Sequence, residues 1–244
     1  MMNDFNQKLQ HRSNSYVDKI LTRVRRRSAF YRFERLRQLP KKSIIDAFPD
    51  AENTRCVIDY SSAINSVLGN IDASELTTLS ALCAYLSPET IFEFGTFDGR
   101  TTLHLALNSP PSARVITVDL HPDDPIRSIA SDDTFYTGNV VVGHHFRGTD
   151  AEKKIEQIYS DTTKYDHSAL KNKVGMVFVD AGHTYELARS DSKKALEMVR
   201  SGGVVLWHDY SFGHPGVYNW LHELSQSIPL INLVGTSLVC HVRE

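Results

Sequence analysis

Apolar residues Leu76, Leu79, Leu82, Cys83 and Leu86 recur three or four positions apart, the spacing of one helix face. Asp72 precedes this stretch and Glu75 follows three residues later, an N-cap acceptor and its reciprocal partner in the pattern of a capping box. Pro88 closes the helix. Beyond it, short apolar runs alternate with helical stretches. Strands are predicted at 90–94, 114–119, 175–179 and 204–207, and, despite its charges, at 154–159. Helices are predicted at 99–107, at 185–199 (ended by Gly202-Gly203) and at 217–226. Residues 231–242 read as two short strands turning at Gly235-Thr236. Strands separated by helices pair in parallel through right-handed crossovers. The expected fold is α/β: a doubly wound, mostly parallel seven-stranded sheet with an antiparallel edge strand at its C-terminal end.

The first 55 residues follow a different pattern. Ile20, Leu21, Val24, Phe30, Tyr31, Phe33 and Leu36 lie at roughly helical spacing, with arginines between them, and Pro40 and Pro49 break the run. Two regions are therefore expected: a basic helical extension over 1–55 and a domain over 56–244. Charge sharpens the division. Residues 1–42 hold 12 Lys/Arg against 3 Asp/Glu, whereas the whole chain has a net charge of −2. The body is thus acidic, which argues against nucleic-acid binding by the core. The basic head suits an anionic surface, the acidic body itself or a second subunit, and a homo-oligomer stays open.

The remaining composition is that of an ordinary globular chain, 41% hydrophobic and 23% charged. No apolar run approaches the ~18 residues of a membrane span, and the N-terminus lacks the apolar core of a secretory signal. Cys56, Cys83 and Cys240 are three, widely spaced and without a C-x-x-C, so buried thiols in a reducing cytoplasm are expected.

The turn after the strand at 90–94 carries candidate chemistry. Its sequence, Glu93-Phe94-Gly95-Thr96-Phe97-Asp98-Gly99, is G-x-x-x-G, whereas a dinucleotide site would use G-x-G-x-x-G to approach a pyrophosphate. Gly95 allows a sharp exit from the strand, and Gly99 lets the next helix begin close to a ligand. Glu93 places a carboxylate where a cationic ligand would suit better than a pyrophosphate, as S-adenosylmethionine (SAM) would, with its ammonium and sulfonium. Asp119 ends the next strand, 24 residues after Gly95, where a carboxylate can accept ribose hydroxyls.

Four stretches resemble the class I SAM-dependent methyltransferases, in the branch of small-molecule and sugar O-methyltransferases. They are residues 91–101 (IFEFGTFDGRT), 115–120 (VITVDL), 177–186 (VFVDAGHTYE) and 202–210 (GGVVLWHDY). The resemblance spans about 75–242 and implies a Rossmann-like sheet. It also implies a glycine turn holding the methionine part of SAM, Asp119 on the ribose, and Asp161-Thr162 near adenine. The donor set expected on this basis is Glu93, Gly95, Thr96, Asp98, Gly99, Thr101, Asp119, Leu120, Asp161, Thr162 and Asp180.

A second polar cluster falls at two strand ends: Asp180 and His183, then His208, Asp209 and Tyr210. In a parallel sheet both surface at the carboxyl edge, beside the donor. Methyl transfer to a hydroxyl of a small-molecule acceptor needs alignment and a more basic oxygen. His183 or His208 could remove the proton; alternatively Asp180 and Asp209 could hold Mg²⁺ or a similar divalent ion. Metal-dependent members of the family place an acid pair, or acid plus amide, where this chain has His208-Asp209, and imidazole is a poor Mg²⁺ ligand. His144-His145 and His214 are loop histidines near that edge, and Phe135, Tyr136, Phe146, Tyr210, Phe212, Tyr218 and Trp220 are candidates for an acceptor pocket or for core. Two other readings are an NAD(P)-dependent oxidoreductase, which the glycine spacing disfavours, and a non-catalytic nucleoside-binding or assembly module of the same fold.

Overall fold

The computed structural model describes residues 38–124 and 140–244. Eight strands form one sheet: β1 (Lys41–Lys42), β2 (Thr90–Phe94), β3 (Arg114–Asp119), β4 (Ile155–Tyr159), β5 (Val174–Val179), β6 (Val199–Trp207), β7 (Ile231–Leu233) and β8 (Val239–Val242). Their order across the sheet is β1-β7-β8-β6-β5-β2-β3-β4. All pairs are parallel except those of β8, which runs antiparallel to both β6 and β7. The antiparallel strand expected near the C-terminus is therefore present, with β7 and the two-residue β1 beyond it. The sheet reads as mostly parallel and doubly wound, with β1 as the strand added to the expected seven.

The helices are α1 (Ile44–Ala47), α2 (Tyr60–Ile64), α3 (Ala73–Leu86), α4 (Arg100–Leu107), α5 (Tyr185–Met198) and α6 (Pro215–Leu224). The capping box at the start of α3 forms as its sequence predicts, with Asp72 accepting from Ser74 and Glu75 backbone N–H groups. Leu76, Leu79, Leu82 and Cys83 then bury one face of α3 in the core. Every residue of β5 is buried, and β2 is buried from Ile91 to Phe94, as expected for central strands covered on both faces. β4 is a sheet edge, which explains its charges: Glu156 faces water and accepts from Arg114 Nε at 2.8 Å.

Two boundaries differ from the sequence reading. Gly202-Gly203 do not end α5; Val199 both caps α5 and begins β6, and the glycines lie inside that strand. The register against β5 shifts there, and a Cβ on Gly203 would sit 2.9 Å from Gly175 O, so the bare backbone lets the irregular strand stay paired. The compact unit also begins at Pro40, not at residue 56. Phe48 and Ala51 are buried in its core, because the residues after Pro40 add β1 to the sheet and α1 beside it. The helical reading of the basic head falls almost wholly outside the described residues. Among the described residues no helix is long and apolar enough to cross a membrane.

The chain runs β2→β3→β4 to one side, then returns to place β5 on the other side of β2. The carboxyl ends of β2 and β5 thus form a topological switch point, where open α/β sheets leave a crevice for ligands.

Candidate active site

Backbone hydrogen bonds tie four strand ends together at this crevice. Gly95 N donates to Val118 O, Asp180 N to Phe94 O and His208 N to Val179 O, at 2.9, 2.9 and 3.1 Å. Gly95 has φ +91°, and a Cβ there would lie 2.2 Å from Asp180 O. Only glycine lets the β2 turn close over the end of β5. A cavity of about 520 Å³ opens here, lined by Gly95–Asp98, Thr101, Asp119, Leu120, Asp161–Thr163 and Asp180 together with His183, His208, Asp209 and His214.

The donor set expected from sequence is largely brought together, with two exceptions. Glu93 does not face the cavity. It is fully buried, accepts hydrogen bonds from Thr102 and from Thr117 (2.6 Å for the latter), and burial pushes its carboxyl up to about 8, so it is a neutral acid at pH 7. Strand alternation turns it toward α4, and it cannot serve as a counter-charge to a ligand. Gly99 also stands off the cavity; at φ +81° its missing Cβ leaves room for Phe146 Cδ1 and Gly143 Cα, both within 3 Å of where a Cβ would sit. That glycine packs the turn onto the 143–146 loop, which Gly143 N→Phe97 O and His145 N→Asp98 O also pin.

Asp119 has a role in the unliganded turn as well as a place in the cavity wall. Its Oδ2 accepts from Thr96 N and Phe97 N at 3.1 and 2.8 Å, and Oδ1 from Leu120 N at 2.7 Å. Leu68, Asn70 and Ile71 also line the cavity, and Asn70 Nδ2 donates to Asp98 Oδ2 at 2.9 Å. No local signal marked this segment; it reaches the site because α3, which follows it, packs beside α4.

Among the histidines of the lining, Asp209 is the hub. It sits in the left-handed region at φ +61°. His183 Nε2 donates to its Oδ2 at 2.7 Å, while His214 Nδ1 and His208 Nδ1 lie 3.0 and 3.3 Å from Oδ1. Burial and these three imidazoles act oppositely on the Asp209 carboxyl, and the hydrogen bonds win, holding it far below the ordinary carboxylate range. His183 and His214 come together because Gly216 lets the 183–185 and 214–216 loops touch; a Cβ there would meet His183 O at 2.2 Å.

His208 is buried between carboxylates: Nδ1 lies 3.1 Å from Asp180 Oδ1 and Nε2 lies 2.9 Å from Glu75 Oε2. Burial disfavours its cation, but the charge of Asp180 and the hydrogen bonds to Asp180, Asp209 and Glu75 outweigh that cost and raise its pKa well above the usual value. That favours the protonated ring and disfavours His208 as a general base, while burial pushes up the Asp180 carboxyl it pairs with. The same geometry bears on metal. Asp180, His208 and Asp209 converge closely enough to surround an ion, yet the place between the two carboxylates is taken by the His208 Nδ1–H. The oxygen pair that the sequence offered to Mg²⁺ thus has the His208 ring between its members, and a second group, His183, Asp209 and His214, also converges closely enough to surround an ion.

Other candidates are absorbed by packing. His145 lies against Asp98 below the turn at 3.5 Å, and neither it nor His144 lines the cavity. Tyr210 stacks on Tyr218 (5.0 Å, 13°) and its hydroxyl pairs with His222, while the Trp220 indole N–H donates to Ser192. Phe135 and Tyr136 lie outside the described residues. Cys83 and Cys240 are buried thiols, pushed up to about 12 by burial.

Comparison with known proteins agrees with this geometry. A family described as a methyltransferase domain matches residues 92–210. Catechol O-methyltransferase B of Danio rerio is 30% identical over 74 residues, which are 30% of this chain and 28% of that relative's length. Among solved structures, the O-methyltransferase TomG of Streptomyces achromogenes, solved with SAM, superposes at TM-score 0.54 with 18% identity, covering 83% of this chain and 97% of that one. The Podospora anserina methyltransferase PaMTH1, bound to S-adenosylhomocysteine (SAH), does so at 0.56 with 12% identity, covering 85% and 98%. At these identities the structural likeness speaks for the fold. Residues 92–210 thus match a methyltransferase-domain family, and the fold is that of the solved methyltransferases.

Proposed function

We propose that this chain transfers the methyl group of SAM to a hydroxyl of a small molecule, with His183 taking the hydroxyl proton. The observation that carries this reading is a single cavity lined both by Gly95–Asp98, Asp119 and Leu120 and by the His183–Asp209 pair. His183 presents Nε2–H to the Asp209 carboxylate, which orients the ring for its role as base. The acceptor oxygen attacks the methyl carbon in line, the carbon–sulfur bond breaks, SAM becomes SAH, and the hydroxyl proton passes to His183. The sulfonium is itself a good leaving group, so the protein contributes alignment and proton removal. His208, set between Asp180 and Asp209, helps hold Asp209 in place. SAM and SAH in the solved neighbours, and the O-methyltransferase names that TomG and the Danio rerio relative carry, support the donor and the reaction class. An NAD(P) site is not favoured, since the glycine turn lacks the pyrophosphate spacing.

Two measurements test the proposal. Calorimetry should detect SAH binding but none of NADH, and a panel of alcohols, phenols and sugars should yield a methylated product and SAH in equal amounts. Absence of SAH binding by folded protein removes the donor assignment; SAH binding with no product across the panel points to the non-catalytic module.

A further inference from the structure

Glu75 reads in the sequence as the third helical residue of a capping box, a role that ends at the helix terminus. The structure gives its carboxylate more partners than capping needs. Oε2 accepts from Asp72 N at 3.3 Å, the capping contact, and also pairs with His208 Nε2 at 2.9 Å. Oε1 accepts from both Ser237 N and Ser237 Oγ, at 2.6 and 2.8 Å. Ser237, in the β7–β8 turn, in turn holds the active-site backbone: its Oγ accepts from Asp209 N at 3.2 Å and its carbonyl from Tyr210 N at 3.1 Å. Asp209 is a non-glycine residue at φ +61°, a conformation that persists where surrounding contacts over-determine it. Two of those contacts end on Ser237, and Ser237 is fixed by Glu75.

We infer that Glu75 is a positioning residue for methyl transfer: one carboxylate, reaching in from α3, fixes the His208 ring directly and the left-handed backbone of Asp209 through Ser237. It stands outside the cavity wall and touches neither donor nor acceptor. This rests on the reading of His183–Asp209 as the proton-accepting pair, since Asp209 is what Glu75 places. The charged groups facing His208 are Glu75 from α3, Asp180 after β5 and Asp209 after β6, with His183 and His214 on the far side of Asp209. Glu75 supplies the acceptor for the ring's inner N–H, which would otherwise be a buried donor without a partner.

The test is Glu75→Gln in the full chain. Glutamine keeps one acceptor oxygen for Ser237 and puts an NH2 group where Oε2 faced His208 Nε2 and Asp72 N, so the acceptor and the charge toward His208 are removed while the Asp72 side chain still caps α3. The expected result is a cooperative melt, SAH affinity unchanged, and kcat lowered about 10- to 100-fold, the scale of a sub-ångström to ångström misplacement of reacting groups. Ser237→Ala is a second variant, cutting the link to Asp209 alone; it should also lower kcat, and the double variant should fall short of the product of the two single effects. Side-chain nitrogen NMR reads the same hold without any acceptor: the imidazole resonance identified as His208 by its loss in His208→Asn should shift in Glu75→Gln. Wild-type kcat in Glu75→Gln, or a His208 resonance that stays in place, overturns the inference, as does a kcat that falls only in step with the folded fraction. If the wild-type protein methylates nothing, the proposed function fails on its own account, and the resonance still decides whether Glu75 holds His208.

Discussion

At the scale of single residues, the two acids Asp119 and Asp209 mark the two halves of the site. Asp119 closes the donor turn through three backbone N–H groups, and Asp209 gathers three imidazoles. Asp119→Ala is expected to weaken SAH binding at least tenfold by calorimetry, because the turn loses its clasp together with a donor contact. Asp209→Asn, which tolerates the left-handed backbone, should leave SAH affinity intact and lower kcat about 10²- to 10⁴-fold, since a neutral amide no longer fixes the His183 tautomer. Equal loss of SAH affinity in both variants would contradict this division. Asp119, Gly95, His183 and Asp209 were legible in the sequence as candidates because each lies at a strand end whose position follows from local pattern; that His183 pairs with Asp209 was not. Glu93 was not. Its neighbours Phe92 and Phe94 show that the strand is buried, but only the packing of α4 over β2 decides that the carboxyl between them meets Thr102 and Thr117 in place of a ligand.

At the scale of elements, two contacts hold the site in shape. Glu93 joins β2 to β3 and α4 as a buried neutral acid. Its pKa is about 8 when folded against an ordinary value of 4.5, so between these limits the unfolded chain has given up a proton that the folded chain keeps. Stability therefore falls as pH rises from about 4.5 toward 8, by up to about 1.4 kcal/mol per pH unit. Glu93→Gln should flatten that slope in denaturant titrations across this window; an unchanged slope would mean the carboxyl is ionised in the fold. The second contact is the meeting of the 183–185 loop with the start of α6 at Gly216. Gly216→Ala forces apart backbone that lies about 2.2–2.6 Å from the added carbon, and should cost about 1–3 kcal/mol in thermal denaturation while lowering kcat, because His183 and His214 separate. The sequence marks α6 by its apolar spacing, but nothing local shows that its first turn abuts residues 183–185. β6 teaches a similar lesson. A glycine pair after a helix reads as a stop, yet here Gly202, at φ +70°, and Gly203 form an irregularity inside β6, and regular pairing to β5 and β8 runs from Val204 onward.

At the scale of the whole molecule, the described unit from Pro40 to Glu244 contains every residue that lines the cavity. Saturating it with SAH at 100 times Kd should add about 2.7 kcal/mol to its stability, a rise in Tm of about 5–10 °C for a unit of this size. Residues 40–244 produced alone should melt cooperatively and show the same rise; a fragment that binds SAH more weakly than the full chain would give the basic head a part in donor binding. The linear order of apolar and polar residues determined the alternation of strand and helix, the parallel sheet and the glycine turn, because each depends on spacing within a few residues and on backbone freedom. Tertiary structure alone decided that β1 joins the sheet and that the Asp180–Asp209 carboxylates clasp the His208 ring. It also decided that Glu75, more than 130 residues away in the chain, supports that clasp. Burial and charge pairing depend on which segments meet in space, and spacing along a chain carries no such information.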